Sequence, residues 1–431
     1  MKNIFYYMGV LTISLFMFME SISVGVAQDQ EIEAFGFKST DPDTGREVSV
    51  DPFRFRGKPI KFGSFLVWPN LTLEQEYNDN VFASDQNTQS DFATVLRPSI
   101  IVKKDVRRHE FVLSLNSEIR RYLDLETEEI ENYQADFEAN FEVQSGTNIP
   151  LVLSYSDGHI RRTAQRRSSF DDIPISPLRV QSYSIETGIN HKPNRLGLSL
   201  LGSFRATDLE NTTLQNGNFS LRSNRNLNAY TLTGRASYET STNFEPYIET
   251  TLGRDIFVNE LPGARTRNNH YFRTLFGSSF NYKGLVYGFA GLGGELRRFD
   301  DSDVDDSVGL SFDSQISWEP QVKTKIDLDL SRQRFEANEV VAGITETQSG
   351  LQLTHELRRN LFARLTGRFD VDEFEEVNRT DKTISTGISL HYISGPRLQI
   401  GANYNFVTRN STLSGIDLNN NIFMLRATTT W

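Results

Sequence analysis

The C-terminal stretch Asn420–Trp431 reads NNIFMLRATTTW and alternates in polarity. Phe423, Leu425, Ala427 and Trp431 are apolar or small, whereas the residues between them are mostly polar. Because side chains alternate between the two faces of a strand, this segment has one apolar face and one polar face. It predicts the closing strand of a transmembrane β-barrel, which pairs with the first strand and so removes both open edges of the sheet. A soluble edge strand is the alternative.

The chain ends on an aromatic residue directly after this strand. Interfacial aromatic side chains anchor the strand ends of membrane barrels. A terminal aromatic preceded by alternating apolar residues also resembles the signal that the barrel-assembly machinery of bacterial outer membranes reads. Phe423, Leu425 and Trp431 are therefore predicted to form an assembly signal, with Trp431 at the position where Phe is usual.

The composition agrees with a barrel. The 431 residues include 31 Phe and 15 Tyr, yet the mean hydropathy is only −0.43. Beyond the N-terminus no apolar run approaches the ~20 residues of a membrane helix, as expected where only alternate residues face lipid. The absence of cysteine excludes disulfides, thiolate metal sites and thiol nucleophiles. The net charge of −11 argues against a nucleic-acid partner, which requires a basic surface.

The N-terminus predicts export. Residues 1–27 read as a signal peptide, with Lys2 as the positive region, Ile4–Met19 as the apolar core and a cleavage site near Ala27. The apolar core is too short for a retained anchor, and without a cysteine at the cut the chain is no lipoprotein. Residues 28–61 are polar and turn-rich, and predict an irregular periplasmic segment. The barrel is predicted over residues 62–431.

Connection lengths from Phe62 onward alternate between short and long. Eight short turns occur, at 104–107, 145–148, 192–194, 241–243, 283–284, 319–321, 358–360 and 394–396. Nine long polar loops lie at about 79–91, 123–131, 157–178, 208–227, 257–268, 299–306, 335–348, 374–380 and 410–419. Together they predict an antiparallel all-β barrel of about eighteen strands, with short periplasmic turns and long outer loops. A soluble sandwich has no reason to sort its loops in this way.

The polar face of these strands carries charged residues. Such residues would each cost a few kcal/mol if they faced lipid, so they predict a wet lumen. A barrel of 16–18 strands leaves an aqueous channel, whereas eight strands would be filled by side chains. The predicted lumen-facing charges are Glu138, Glu142, Arg205, Arg235, Glu249, Arg273, Asp313, Asp327, Asp329, Arg364, Arg368, Asp370 and Arg426. About eighteen acidic and about eleven basic side chains point inward by this assignment, which disfavours export of a strongly anionic polymer.

Two segments near the start of the barrel carry a family resemblance. They read Gly63-Ser64-Phe65-Leu66-Val67-Trp68-Pro69 and Glu76-Tyr77-Asn78-Asp79-Asn80-Val81-Phe82-Ala83. This pattern resembles the opening of the outer-membrane beta-barrel porins of the second type. The resemblance implies a barrel and brings no catalytic residues with it. It also implies a possible role in polysaccharide export, since some members sit beside exopolysaccharide genes. Asp79-Asn80 also suits a tight turn as the first strand leaves the membrane, with Val81-Phe82 packing back on the rim.

Other candidate sites are weaker. The six histidines are scattered and show no metal-ligand spacing. Gly291–Gly294 has no following helix, so these glycines are interpreted as relieving crowding in the barrel wall. The acidic run Asp300–Asp306 fails the calcium-loop pattern and predicts a solvated loop, with cation bridging to lipopolysaccharide as the minor reading.

Four arginines in the longest loops remain open to several interpretations. They are Arg161, Arg162, Arg166 and Arg167. They could bind surface phosphates, fold inward as a constriction, or simply be solvated. A Ser–His hydrolase is disfavoured, because no His lies near a Ser and a carboxylate in a distinctive pattern.

The sequence therefore predicts a Gram-negative outer-membrane barrel that acts as a passive, non-enzymatic channel for small hydrophilic solutes. No cofactor and no metal is expected. The expected partners are outer-membrane lipids, lipopolysaccharide, the barrel-assembly machinery and small polar solutes. The alternatives are a component of exopolysaccharide or capsule secretion, and a non-conducting surface or scaffold barrel.

Overall fold

A computed structural model of the chain describes residues 58–106, 108–161, 174–214, 217–221, 223–259, 266–335, 343–375 and 377–431. Residues 1–27 and nearly all of the segment 28–61 lie outside this range, so the signal peptide and its cleavage site stay predictions. The eighteen long strands are β1 Phe65–Asn78, β2 Asp91–Val106, β3 His109–Tyr122, β4 Ile130–Gln144, β5 Thr147–Ile160, β6 Leu178–His191, β7 Leu196–Leu209, β8 Leu227–Tyr238, β9 Phe244–Phe257, β10 Asn269–Tyr282, β11 Val286–Phe299, β12 Ser307–Gln321, β13 Thr324–Phe335, β14 Ile344–Arg358, β15 Leu361–Phe374, β16 Arg379–Ile393, β17 Leu398–Ser411 and β18 Leu418–Thr430.

The strands form one closed antiparallel barrel. Each strand pairs with its neighbours in the sequence, and β1 pairs with β18 from Asn70 opposite Thr430 to Asn78 opposite Ile422. Closure leaves no open edge along the paired length, so the backbone polar groups there are satisfied within the sheet. The predicted all-β transmembrane barrel and its strand number are confirmed.

The connections follow the predicted alternation of short and long. Eight short turns of at most five residues lie at the end of the barrel that holds the start of β1 and the end of β18. Of the nine connections at the opposite end, eight have six residues or more, and the one between Phe374 and Arg379 has four. Lys283 and Gly284 form a tight turn, with φ of 53° and 69°. Positive φ at both central residues gives the turn a twist that matches the flanking strands. Its closing bond runs from Leu285 N to the carbonyl of Tyr282 (2.9 Å).

A short strand before the barrel covers the exposed start of β1. Ile60–Phe62 pairs with Phe65–Val67 through a turn at Gly63, whose φ is 60°. β18 does not reach this part of β1, because its last pair is Thr430 with Asn70. The hairpin therefore shields an edge that would otherwise be free to pair with another chain.

Apolar and polar side chains alternate along the strands of the barrel, as the sequence pattern predicted. On β7, Leu196, Leu198 and Leu200 are exposed on the outer face, and Leu351 and Phe369 are exposed on β14 and β15. The inner face is polar.

The remaining regular elements of the described residues are the strand pair Thr212–Thr213 and Phe219–Ser220 and the 3-10 turns Glu126–Glu128 and Ser223–Arg225. Within the described ranges no helix has the length and apolar character needed to cross a membrane.

Glycines make room for a tyrosine ring on the inner wall. A Cβ added at Gly277 would lie 2.5 Å from the Tyr247 ring, and one added at Gly291 would lie 2.7 Å from its hydroxyl. Tyr247 therefore lies flat against β10 and β11, where a larger side chain would displace it. This agrees with the interpretation that glycines in the Gly291–Gly294 segment relieve crowding in the wall.

Candidate functional site

The candidate site is the inner wall. Cross-strand register puts all thirteen predicted charges on the face opposite the exposed apolar residues. Arg235 and Glu249 face each other on β8 and β9 and form an ion pair of 3.2 Å. Arg368 bonds Asp370 on the same strand at 2.9 Å. The register thus gives these residues a shared face, and their role in permeation stays a prediction.

The inner wall is in contact with water. The side chain of Arg97 is 23% exposed, that of Glu118 is 20% exposed and that of Arg368 is 28% exposed. Because these residues lie on the inner face of a closed barrel, the exposed fraction opens toward the lumen. The partial exposure of these side chains agrees with the wet lumen that the sequence predicts.

An ion network spans the seam where the barrel closes. Its members are Glu74 and Glu76 on β1, Arg97 on β2, Glu118 and Arg120 on β3, Arg161 after β5, and Arg426 on β18. Glu74 binds both Arg97 and Arg426 and is fully buried. Arg120 bonds Glu76 at 2.8 Å and Glu118 at 3.3 Å. The network therefore ties the first and last strands together from inside the barrel.

Arg161 lies inside the barrel rather than on its surface. It is buried, 3.4 Å from Glu76 and 3.2 Å from the hydroxyl of Tyr122. This position excludes a surface phosphate site and agrees with inward folding, and a constriction at this residue stays a prediction. Arg162, Arg166 and Arg167 lie outside the described residues. Sequence reasoning also missed Glu74 and Glu76, although both fall on the polar face of the first strand.

The first and last strands are also joined by hydrogen bonds outside the ion network. Asp79 accepts bonds from the backbone N–H (2.7 Å) and the side-chain amide (2.6 Å) of Asn421. Asn80 donates to the carbonyl of Asn419 (2.9 Å), and Val81 is buried beneath the loop. The segment that carried the family resemblance thus ties the outer end of β1 to β18. Val81 packs against Ala93 and Tyr122, in agreement with the prediction that this segment packs back on the rim.

Two further networks hold charges near the outer strand ends. Arg297 bonds Asp255 (3.0 Å) and Glu295 (2.9 Å), and its guanidinium lies 4.4 Å from the centre of the Tyr271 ring. Arg379 forms a two-point ion pair with Asp381 at 3.0 and 2.6 Å. Paired charges of this kind hold their positions, so the field they create in the lumen is fixed.

The wall formed by β12 to β15 is rich in carboxylates. Its inward acids include Asp313, Asp327, Asp329, Glu346, Asp370 and Asp372, and its inward cations include Lys325, Arg364 and Arg368. Asp327 accepts a bond from the Ser317 hydroxyl (2.6 Å) and pairs with Lys325 (3.0 Å). The Asp329 carboxylate lies over Gly350, where an added Cβ would meet its Oδ1 at 2.2 Å. Carboxylates outnumber cationic groups on this wall.

The predicted assembly residues lie on the outer face. Phe423, Leu425 and Trp431 are all exposed. The Phe423 ring packs against Tyr404 (4.7 Å between centroids) and Tyr77 (6.5 Å). This arrangement suits a lipid-facing strand, and the use of these residues as a signal stays a prediction.

The acidic loop 300–306 has ion pairs of its own. Asp300 binds Arg254 through two bonds of 2.7 and 2.5 Å, and these bonds hold the pKa of the Asp300 carboxyl below its usual range. Asp306 lies 3.6 Å from Arg298. Across the described ranges no three His, Asp or Glu residues are arranged to hold a metal ion.

The chain was compared with known families, curated proteins and solved structures, and the family comparison agrees with this architecture. A family model described as "Putative beta-barrel porin 2" matches residues 51–430. No curated protein matches the chain significantly.

Among solved structures, a BenF-like porin from Pseudomonas fluorescens Pf-5 is 11% identical, with a TM-score of 0.46 over 85% of this chain and 99% of that one. The outer membrane protein opdK from Pseudomonas aeruginosa is 12% identical, with a TM-score of 0.43 over 85% and 99% of the two chains. The siderophore receptor PirA from Pseudomonas aeruginosa is 9% identical, with a TM-score of 0.43 over 85% and 80%. Likenesses at this level are too distant to transfer a solute or a mechanism.

Proposed function

The chain belongs to the Putative beta-barrel porin 2 family, and from that premise we propose that it is an outer-membrane channel through which small hydrophilic solutes diffuse passively. Family membership and the barrel fold support the outer membrane as its location and a non-enzymatic role. Lipids and lipopolysaccharide are the proposed surroundings of its outer face, and the barrel-assembly machinery is the proposed route of its insertion.

One observation carries this proposal. Eighteen strands close into a barrel whose inner-face charges retain solvent contact. A barrel of this strand number is wide enough for an aqueous channel. Polar side chains on that wall replace part of the hydration of a passing solute, so that a small hydrophilic molecule meets no apolar barrier.

The polysaccharide alternative has weaker support. It rests on the family resemblance, and the inner wall favours it less, because a polyanion would meet the carboxylate-rich wall of β12 to β15. A scaffold barrel would need no solvated inner wall.

Planar-bilayer recording tests the proposal. The purified full chain, reconstituted in 1 M KCl, is expected to give stepwise conductance, and proteoliposomes that contain it are expected to swell in glycerol. Failure to conduct or to swell would overturn the channel and favour a scaffold or a plugged barrel. Conductance that appears only after a long loop is deleted would also count against a passive channel.

A further inference from the structure

One cross-strand row on the inner wall contains charges that have no ion-pair partner. Asp136 on β4 lies opposite Ser154 on β5, Ser154 lies opposite Ser184 on β6, and Ser184 lies opposite Arg205 on β7. Glu186 follows Ser184 on the same face and lies diagonal to Arg205. All five side chains are half-buried, so the row can be reached from the lumen.

Arg205 differs from the other arginines of this face. It donates no hydrogen bond and forms no ion pair with any residue that the structure describes, and its Nη1 is buried without a partner. Arg97 and Arg368, on the same inner face, are both paired with carboxylates. A guanidinium partly withdrawn from water and left unpaired is unfavourable, so its retention requires a reason.

The two carboxylates of the row also lack a cationic partner. Neither Asp136 nor Glu186 forms an ion pair with a described residue. Glu186 Oε1 is buried without a hydrogen-bond partner. Asp136 has the uncharged side chains of Ser154 and Gln134 within hydrogen-bonding reach and no cationic partner among the described residues. Glu186 and Arg205 have opposite charges and lie on adjacent strands, yet no bond joins them.

We propose that this row is a solute-binding subsite on the pore wall for small zwitterionic solutes. The inference rests on the proposed channel function and deepens it by naming a class of solute. Arg205 offers a planar fork of donors that suits a carboxylate or another anionic group. Glu186 and Asp136 accept hydrogen bonds from a cationic group, and the hydroxyls of Ser154 and Ser184 bind the polar atoms between them.

The presence of both signs selects the zwitterionic class. A simple anion would pair with Arg205 but would be repelled by Glu186 and Asp136. A simple cation would satisfy the carboxylates and leave Arg205 unpaired. Only a solute that carries both charges satisfies both kinds of group in one bound state.

Solute-dependent changes in ion current test the subsite. L-serine is the probe, and glycerol is the uncharged control of similar size. In wild-type channels L-serine should lower the KCl conductance more than an equal concentration of glycerol does, with a saturable dependence. Arg205→Gln should raise the half-effect concentration of L-serine about tenfold, because a charge-assisted bond is lost. Glu186→Gln removes the opposite charge and should weaken the same effect independently.

Lys103→Gln is the charge-matched control. Lys103 lies on the inner face of β2, five strands from Arg205 and four from Glu186, and is paired with Glu110, so its loss should leave the response to L-serine unchanged. Equal effects of Lys103→Gln and Arg205→Gln would overturn the subsite. So would equal responses to acetate and L-serine, because the site would then bind simple anions.

The two proposals fail in different ways. A wild-type channel that conducts KCl but responds alike to L-serine and glycerol overturns the subsite and leaves the channel function intact. A protein that does not conduct KCl at all overturns the channel function and the subsite together.

Discussion

Glu74 has two guanidinium partners, Arg97 and Arg426, and its side chain is fully buried on the inner face. A buried carboxylate is tolerated only when opposite charges and hydrogen bonds replace its hydration. The two arginines come from β2 and β18, the two neighbours of β1, so a single residue links three strands at the barrel closure.

Replacing Glu74 should destabilise the barrel strongly. In Glu74→Gln the Arg97 and Arg426 guanidinium groups lose a common anion, which is expected to lower the free energy of unfolding by about 3–5 kcal/mol. Urea unfolding of protein reconstituted in lipid vesicles measures the effect. Glu131→Gln is the matched control, since Glu131 pairs with Arg121 on the exposed outer rim, where solvent screens the ion pair and its loss should change the stability little. Equal losses in the two variants would contradict the role of Glu74.

At the scale of single residues, the sequence predicts faces but not partners. Alternation assigned Arg426 and Asp327 to the inner face, because the period of a strand is two. Which charge pairs with which depends on cross-strand register, and register depends on every turn between the strands. Glu74 with Arg426, separated by nearly the whole chain, could not be paired from sequence alone. The inward position of Arg161 could not be predicted either, because loop residues follow no such period.

Hydrogen bonds join the closing strand β18 to β1 along its whole length. At the outer end Asn421 donates to Asp79, and at the periplasmic end the Thr430 hydroxyl donates to Asn70 Oδ1 (2.6 Å). Between them the hydroxyls of Thr72 and Thr428 are 2.9 Å apart. The strand, its alternation and its partner strand were predictable from the sequence, because a barrel allows only one way to remove both edges. The short strand Ile60–Phe62 was not predicted, since three residues are too few to show a period.

Trp431→Asp tests whether this element also carries an assembly signal. An acidic residue on the lipid side of a strand near the interface costs at most ~1 kcal/mol, too little to prevent folding. The mutant should therefore refold normally in detergent, while its level in the outer membrane falls about tenfold or more if the assembly machinery reads the terminus. Fractionated membranes with immunoblotting measure that level.

Trp318→Asp is the control at the same depth. Trp318 lies on the outer face near the periplasmic end of β12 and is exposed to nearly the same extent as Trp431, 48% against 52%. Trp318→Asp should leave most of the protein in the outer membrane, and Trp431→Phe should restore normal levels. Similar losses for the two Asp variants would show that burial in lipid, rather than a terminal signal, explains the effect.

For the whole molecule, closure and polarity together determine how the lumen treats ions. Charges on the outer face are at the rim and meet bulk water, whereas charges on the inner face surround a confined space with walls of low dielectric constant. Such walls focus the field of the groups that line them. The excess of carboxylates on β12 to β15 should therefore act on every ion that passes, although no single residue forms a selective site.

A reconstituted channel should pass small cations modestly better than anions. Asp329 and Asp313 lie on the carboxylate-rich wall, and reversal potentials in a KCl gradient measure the preference. The preference should shrink toward 1 M salt, where the screening length falls to about 3 Å. Asp329→Asn should reduce it, whereas Glu373→Gln on the exposed outer rim removes an equal charge and should not. Reduction of the preference by both variants alike would mean that long-range net charge, rather than the lining of the lumen, sets selectivity.

Reversal potentials measured over a range of pH separate the contributions of carboxylates and guanidinium groups to ion selectivity. Ordinary carboxylates are protonated as the pH falls through about 4, whereas guanidinium groups stay charged over the whole range. Below that pH the inner wall retains Arg235, Arg273 and Arg368 and loses its anionic partners, so the preference should reverse toward anions. Anion preference at neutral pH would contradict the inner-face assignment itself, since the carboxylates would then have to lie elsewhere.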